Sequence, residues 1–126
     1  MSGMTYEEKL FRIGAWWNWG ITVSLAVGYP ILFPIFGMEL PTYPVFFLLF
    51  LGVCFVLGVG YHWVSKDLSQ HLGIVRLGIA VKGLVVLGCC VGIADAQLHW
   101  VFGLAGLVDL VFAVLFGRFL KSQTST

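Results

Sequence analysis

Of the 126 residues, 60% are hydrophobic and 10% charged, with a mean hydropathy of +0.98 and a net charge of +1. Soluble domains average about 45–50% apolar and about 25% charged residues, so this composition excludes one, and it excludes disorder as well. A charge this close to zero gives no field for holding nucleic acid.

What remains is an integral membrane protein whose first partner is the lipid bilayer. A spanning helix needs about 20 mostly apolar residues, and four of them with short loops fill the chain. A β-barrel is disfavoured, because Pro44–Gly60 is almost continuously apolar instead of alternating. The expected fold is one all-α domain over residues 1–126. It has four transmembrane helices in an up-down antiparallel bundle, with a short interfacial segment between the first two.

Met1–Lys9 carries Glu7 and Glu8 and leads to no small-residue cleavage site, so a signal peptide is not expected. The first helix is predicted over Leu10–Tyr29. Pro30 and Pro34 then interrupt the pattern. A helix from Leu10 to Phe36 would be about 40 Å long, more than a hydrocarbon core of about 30 Å. A break near Pro30 follows, with residues 31–43 lying in the interface.

The second helix is predicted over Pro44–Val64, with Pro44 in its first turn. It ends in Tyr61-His62-Trp63, an aromatic group suited to the headgroup level. Asp67 and Gln70 resemble a capping box and place the third helix at about Leu68–Ala94. Asp95–His99 reads as a turn, and the fourth helix is predicted over Trp100–Leu120.

Basic residues give the orientation. Lys9, Arg12, Lys66, Arg76, Arg118 and Lys121 fall at or near the side shared by both termini and the central loop, while the other two loops carry none. Both termini are therefore expected in the cytoplasm, in a bacterial inner membrane.

Two charges lie deep in the predicted spans. Lys82 precedes Gln97 by fifteen residues and Asp109 follows it by twelve. Their depths differ by about 5 Å at helical rise, which a lysine can cover. An unpaired charge at that depth costs about 2.5–3.5 kcal/mol on insertion scales, so a Lys82–Asp109 contact is predicted. Polar glue between helices and a site for an ion, a proton or an anionic headgroup both remain open readings of it.

Ala105, Asp109, Ala113 and Gly117 recur every four residues, and Gly103 and Gly106 add space on the same helix. Gly88 and Gly92 form a similar pair on the third helix. Asn18 lies on a first-helix stripe with Gly14, Thr22 and Ala26, where it would hydrogen-bond across helices, to the charges of the third and fourth helices if the first packs beside them. Trp16, Trp17 and Trp19 flank it and are expected to face lipid. Arg76 is placed to snorkel to the surface or, with Lys66, Arg12 and Arg118, to meet lipid phosphate.

No cofactor is expected. His62, His71 and His99 do not form a pair at matched depth for haem, nor a cluster for zinc. Cys54, Cys89 and Cys90 form no C-x-x-C and read as small apolar residues. The missing C-x-x-C sets aside the four-helix disulfide oxidoreductases. The absence of an acid within the first span sets aside the small multidrug transporters.

Lys82, Asp109, Asn18 and Arg76 are thus the candidate binding or charge-pair residues, and none is assigned a catalytic role. The leading functional reading is an accessory or structural membrane subunit held by a buried Lys–Asp pair. The alternatives are an oligomeric ion- or proton-coupled transporter or channel, and a lipid- or quinone-binding protein. A homo-oligomer and a larger membrane complex are the assemblies these readings imply.

Overall fold

A computed structural model describes residues 3–124. They form α1 (Tyr6–Ile35), α2 (Pro44–Lys66), α3 (Leu72–Ala94), a short 3-10 turn (Trp100–Phe102) and α4 (Gly103–Thr124). All four long helices are long and apolar enough to cross a membrane, α4 together with the 3-10 turn before it. Each carries a run of exposed apolar residues, such as Val27, Ile31 and Ile35 on α1 and Leu77, Leu84, Leu87 and Val91 on α3. Contiguous apolar surface of this extent is suited to lipid and not to water.

The chain divides into two compact units, Met1–His71 and Leu72–Thr126. Each is a helical hairpin. In the first, Arg12 meets Ser65, Asn18 meets Cys54 and Phe33 meets Phe47. Partners fall along α2 as residue number rises along α1, so the two helices are antiparallel. In the second, Lys82 meets Asp109 and Cys89 meets Phe102, which gives the same sense.

Helix α1 starts at a capping box. The Thr5 hydroxyl accepts from the Glu8 amide at 3.2 Å, and the Glu8 carboxylate accepts from the Thr5 amide at 2.9 Å. The signal is the T-x-x-E of Thr5-Tyr6-Glu7-Glu8, which satisfies two otherwise orphaned backbone donors. The helix therefore begins four residues before the Leu10 start expected from hydropathy.

It also runs past Tyr29. Pro30 and Pro34 lie inside it and are exposed, and no break occurs at Pro30. Tyr29 and Phe33 are one turn apart, on one face. Both rings pack on Phe47, at 5.3 and 5.5 Å between centroids, and on each other at 5.7 Å. Only continued helix places both rings there. The end is then closed by Gly37 at φ +70°, with Gly37 N–H donating to Pro34 at 3.0 Å and Met38 N–H to Phe33 at 2.8 Å. This is a Schellman motif, and Gly37 is the residue that permits it. Residues 31–35 are thus helical, and residues 36–43 connect α1 to α2.

Helix α3 begins at Leu72 and not at Leu68. The Asp67 amide already donates to Trp63 and Val64 at the end of α2, and its backbone is extended. Its carbonyl accepts from Gln70 N–H at 3.4 Å, and its carboxylate from the Ser69 hydroxyl at 3.2 Å. Asp67 therefore closes α2 and a turn, so it is not available to open α3.

A second Schellman motif ends α3. Ala96 N–H donates to Ile93 at 3.1 Å and Gln97 N–H to Gly92 at 2.8 Å, with Ala96 at φ +60°. The His99 ring then accepts from Val101 N–H at 3.1 Å and opens the 3-10 turn. Helix α4 continues to Thr124, four residues beyond the Leu120 end expected.

Two substitutions test these backbone devices. Ala96 occupies the left-handed region, which costs a residue with a Cβ about 1–2 kcal/mol. Ala96→Gly is expected to raise the unfolding midpoint in detergent, with a net gain of about 0.5–1 kcal/mol after the entropy of an added glycine. A Cβ at Gly58 would lie 2.8 Å from Trp19 Nε1 and 3.1 Å from Asn18 Cβ. Gly58→Ala is expected to lower stability by about 1–3 kcal/mol in the same measurement. An unchanged midpoint would mean that α1 and α2 separate without cost.

Candidate functional site

The Lys82 ammonium donates to Asp109 Oδ1 at 2.7 Å. The lysine side chain is 3% exposed and the aspartate side chain 14%. Asp109, Phe112 and Phe116 follow one another at helical spacing on one face of α4. The ammonium lies 5.2 Å from the centre of the Phe112 ring and 6.0 Å from that of Phe116. A cation over aromatic faces gains about 0.5–2 kcal/mol. Carboxylate and rings come from the same helix, so α4 supplies a seat that α3 fills with a single side chain.

Small residues let the two helices approach. A Cβ at Gly106 would lie 3.1 Å from Cys89 Sγ, and one at Gly103 would lie 2.9 Å from Ile93 Cδ1. The glycines that matter therefore lie beside the Ala105–Gly117 stripe and not on it. At Gly92 the close neighbour is Leu98 of the turn, 3.1 Å from a Cβ, and a Cβ at Gly88 would meet open space. Within this hairpin, then, only Gly92 of the pair is pressed by a neighbour.

Asn18 belongs to hairpin 1. Its Nδ2 donates to the Cys54 carbonyl at 2.8 Å, and its own carbonyl accepts from the Thr22 hydroxyl at 2.6 Å. A helical carbonyl is normally screened by the side chain one turn on. For Cys54 that residue is Gly58, which leaves the carbonyl open to Asn18. Arg76 is exposed near the start of α3.

Of the tryptophans, Trp16 is exposed. Trp19 is not turned to lipid: it lies against Phe55 and His62 at 6.1 and 5.9 Å between centroids. Gly58 makes room for the indole, which explains the departure from the lipid-facing expectation.

The sequence groups Arg12 with the basic residues of one side, with lipid phosphate as their common acceptor, and gives it no partner within the protein. Arg12 Nε donates to the Ser65 hydroxyl at 3.3 Å, and Ser65 donates in turn to the His62 carbonyl. Ser65 is 53 residues away in the chain and 2% exposed. Nothing local in the sequence announces the pairing. Only the antiparallel register of α1 on α2 brings it about.

Among the described residues no group of three histidines, cysteines or carboxylates is arranged to hold a metal ion. The chain matches no family model, no curated protein and no solved structure.

The Lys82–Asp109 pair yields a double-mutant test. Removing one partner of a buried pair is expected to cost about 3–5 kcal/mol, because the other is stranded. Asp109→Leu should therefore lower the unfolding midpoint sharply. Lys82→Met combined with Asp109→Leu should recover most of the loss. Additive losses would show that the two side chains act independently.

Proposed function

We propose that this chain is a small accessory or structural subunit of a membrane assembly. In this reading the two hairpins join as one up-down four-helix bundle, with residues 36–43 at the interface. Both termini lie in the cytoplasm, beneath a bacterial inner membrane.

One observation carries the reading. The deepest cation, Lys82, is matched by a carboxylate and two phenyl rings of its own hairpin. The pair is charge-neutral as a unit and ties α3 to α4, which is what a structural fastener requires. The exposed apolar stripes on the helices offer surface for lipid and for a membrane partner. The distribution of Lys9, Arg12, Lys66, Arg76, Arg118 and Lys121 supports the orientation.

A second reading rests on the asymmetry of the pair. Asp109 retains 14% side-chain exposure where Lys82 retains 3%. A carboxylate left partly open beside a closed ammonium suits proton- or ion-coupled transport in a homo-oligomer.

Native mass spectrometry after gentle release from the membrane separates the two. A heteromeric complex is the outcome expected for a subunit. A homo-oligomer with proton flux in liposomes, abolished by Asp109→Asn, would replace that reading with transport. A monomer retaining one small molecule would overturn both in favour of lipid or quinone binding.

A further inference from the structure

Hairpin 1 carries a polar group that the Lys82–Asp109 pair does not explain. Arg12 lies six residues into α1, about 9 Å along the axis from its start. It is half-buried. Guanidinium carries five N–H donors in a rigid fork. Only Nε is engaged, by the Ser65 hydroxyl at 3.3 Å. Ser65 is itself anchored to the His62 carbonyl, so the Nε edge is pinned to α2.

The terminal nitrogens of Arg12 have no protein acceptor among the described residues. The natural candidate is Glu8, one helical turn before it, a spacing that supports ion pairs. Glu8 is instead committed to the Thr5 amide in the capping box. Asp67, two residues beyond Ser65, accepts from Ser69. No carboxylate among the described residues forms an ion pair with Arg12, and a half-buried cation keeps the outer face of its fork open.

The depth is marked independently. Tyr6, Trp16 and Trp63 are exposed, and all lie at the same end of hairpin 1 as Arg12 and Ser65. Exposed tyrosine and tryptophan collect at the headgroup level of membranes. The acceptors available at that level are phosphate oxygens, whose spacing matches the guanidinium fork bidentately.

We propose that Arg12, oriented by Ser65, is a phosphate-binding group whose ligand is the phosphodiester of a membrane phospholipid. The lipid lies against hairpin 1 with its phosphate on the open edge of the fork, and Lys9 and Lys66 lie close by in the chain. The contact belongs to hairpin 1 and is independent of the accessory-subunit reading. It differs from diffuse basic anchoring in requiring the shape of arginine as well as its charge.

The test uses the full chain, delipidated in maltoside detergent and titrated with phosphatidylglycerol or with a phosphate-free galactolipid. Bound lipid is counted by native mass spectrometry, and circular dichroism checks helicity. Wild-type protein is expected to bind phosphatidylglycerol about tenfold more tightly than the galactolipid. Arg12→Lys keeps the charge and loses the fork, and it should lose most of that preference. Ser65→Ala should weaken it a few-fold by freeing the guanidinium. Arg12→Gln should abolish it, and if that variant is poorly folded the other two still decide.

Equal binding of both lipids by the wild type would overturn the proposal. So would an Arg12→Lys protein indistinguishable from wild type, since charge alone would then suffice. Displacement of the lipid by millimolar inorganic phosphate would overturn the lipid as the source and assign the fork to a soluble anion.

Discussion

A charge carried into hydrocarbon needs a partner inside the protein, and Lys82 finds one within its own hairpin. Lys82 is the most demanding case. Its ammonium meets Asp109 at 2.7 Å and two phenyl faces of the same helix. That requirement sets the register of α3 on α4, because a shift by one turn would move the charges about 5 Å apart along the axis. Asn18 plays the corresponding part in hairpin 1 by donating to Cys54, and Ser65 ties Arg12 to the end of α2. Each hairpin thus carries its own polar fastening, which accords with the division of the chain into two compact units.

Close approach is the second condition. Hydrocarbon gives helices no hydrophobic reason to associate, so contact depends on packing and hydrogen bonds. Gly58 shows how one residue provides both. Without a Cβ it admits the Trp19 indole and the Asn18 side chain, and it uncovers the carbonyl that Asn18 needs. Gly106 and Gly103 make room in the same way for the Cys89 and Ile93 side chains in hairpin 2. The glycines that act are those facing a bulky partner, which a four-residue spacing alone does not identify.

The helix ends follow local chemistry that hydropathy does not register. Thr5 and Glu8 carry α1 outward beyond its apolar stretch, and Gly37 closes it after two prolines. Prolines inside a membrane helix leave carbonyls without donors, a defect tolerated when neighbouring groups or local adjustment re-satisfy them. Here the Tyr29–Phe33–Phe47 ring cluster holds the helix through that region. The resulting α1 of 30 residues is about 45 Å long, so it accommodates a thinner hydrocarbon layer by tilting or by extending past it.

Composition and the lengths of the apolar runs determined that the chain is helical and holds four candidate spans, because backbone groups in lipid must bond within their own segment. The count from Gln97 also determined the Lys82–Asp109 pair, since the two residues flank a short turn at nearly equal distance and neither charge tolerates isolation. The capping box at Thr5 and the stop at Gly37 were written in the sequence, but hydropathy concealed them. Tertiary structure alone decided the rest. Whether a small residue faces a neighbour or open space, as Gly106 and Gly88 do respectively, depends on helix rotation. The meeting of Arg12 with Ser65 depends on antiparallel register across 53 residues. Rotation and register are properties of packed pairs, and no periodicity within one helix encodes them.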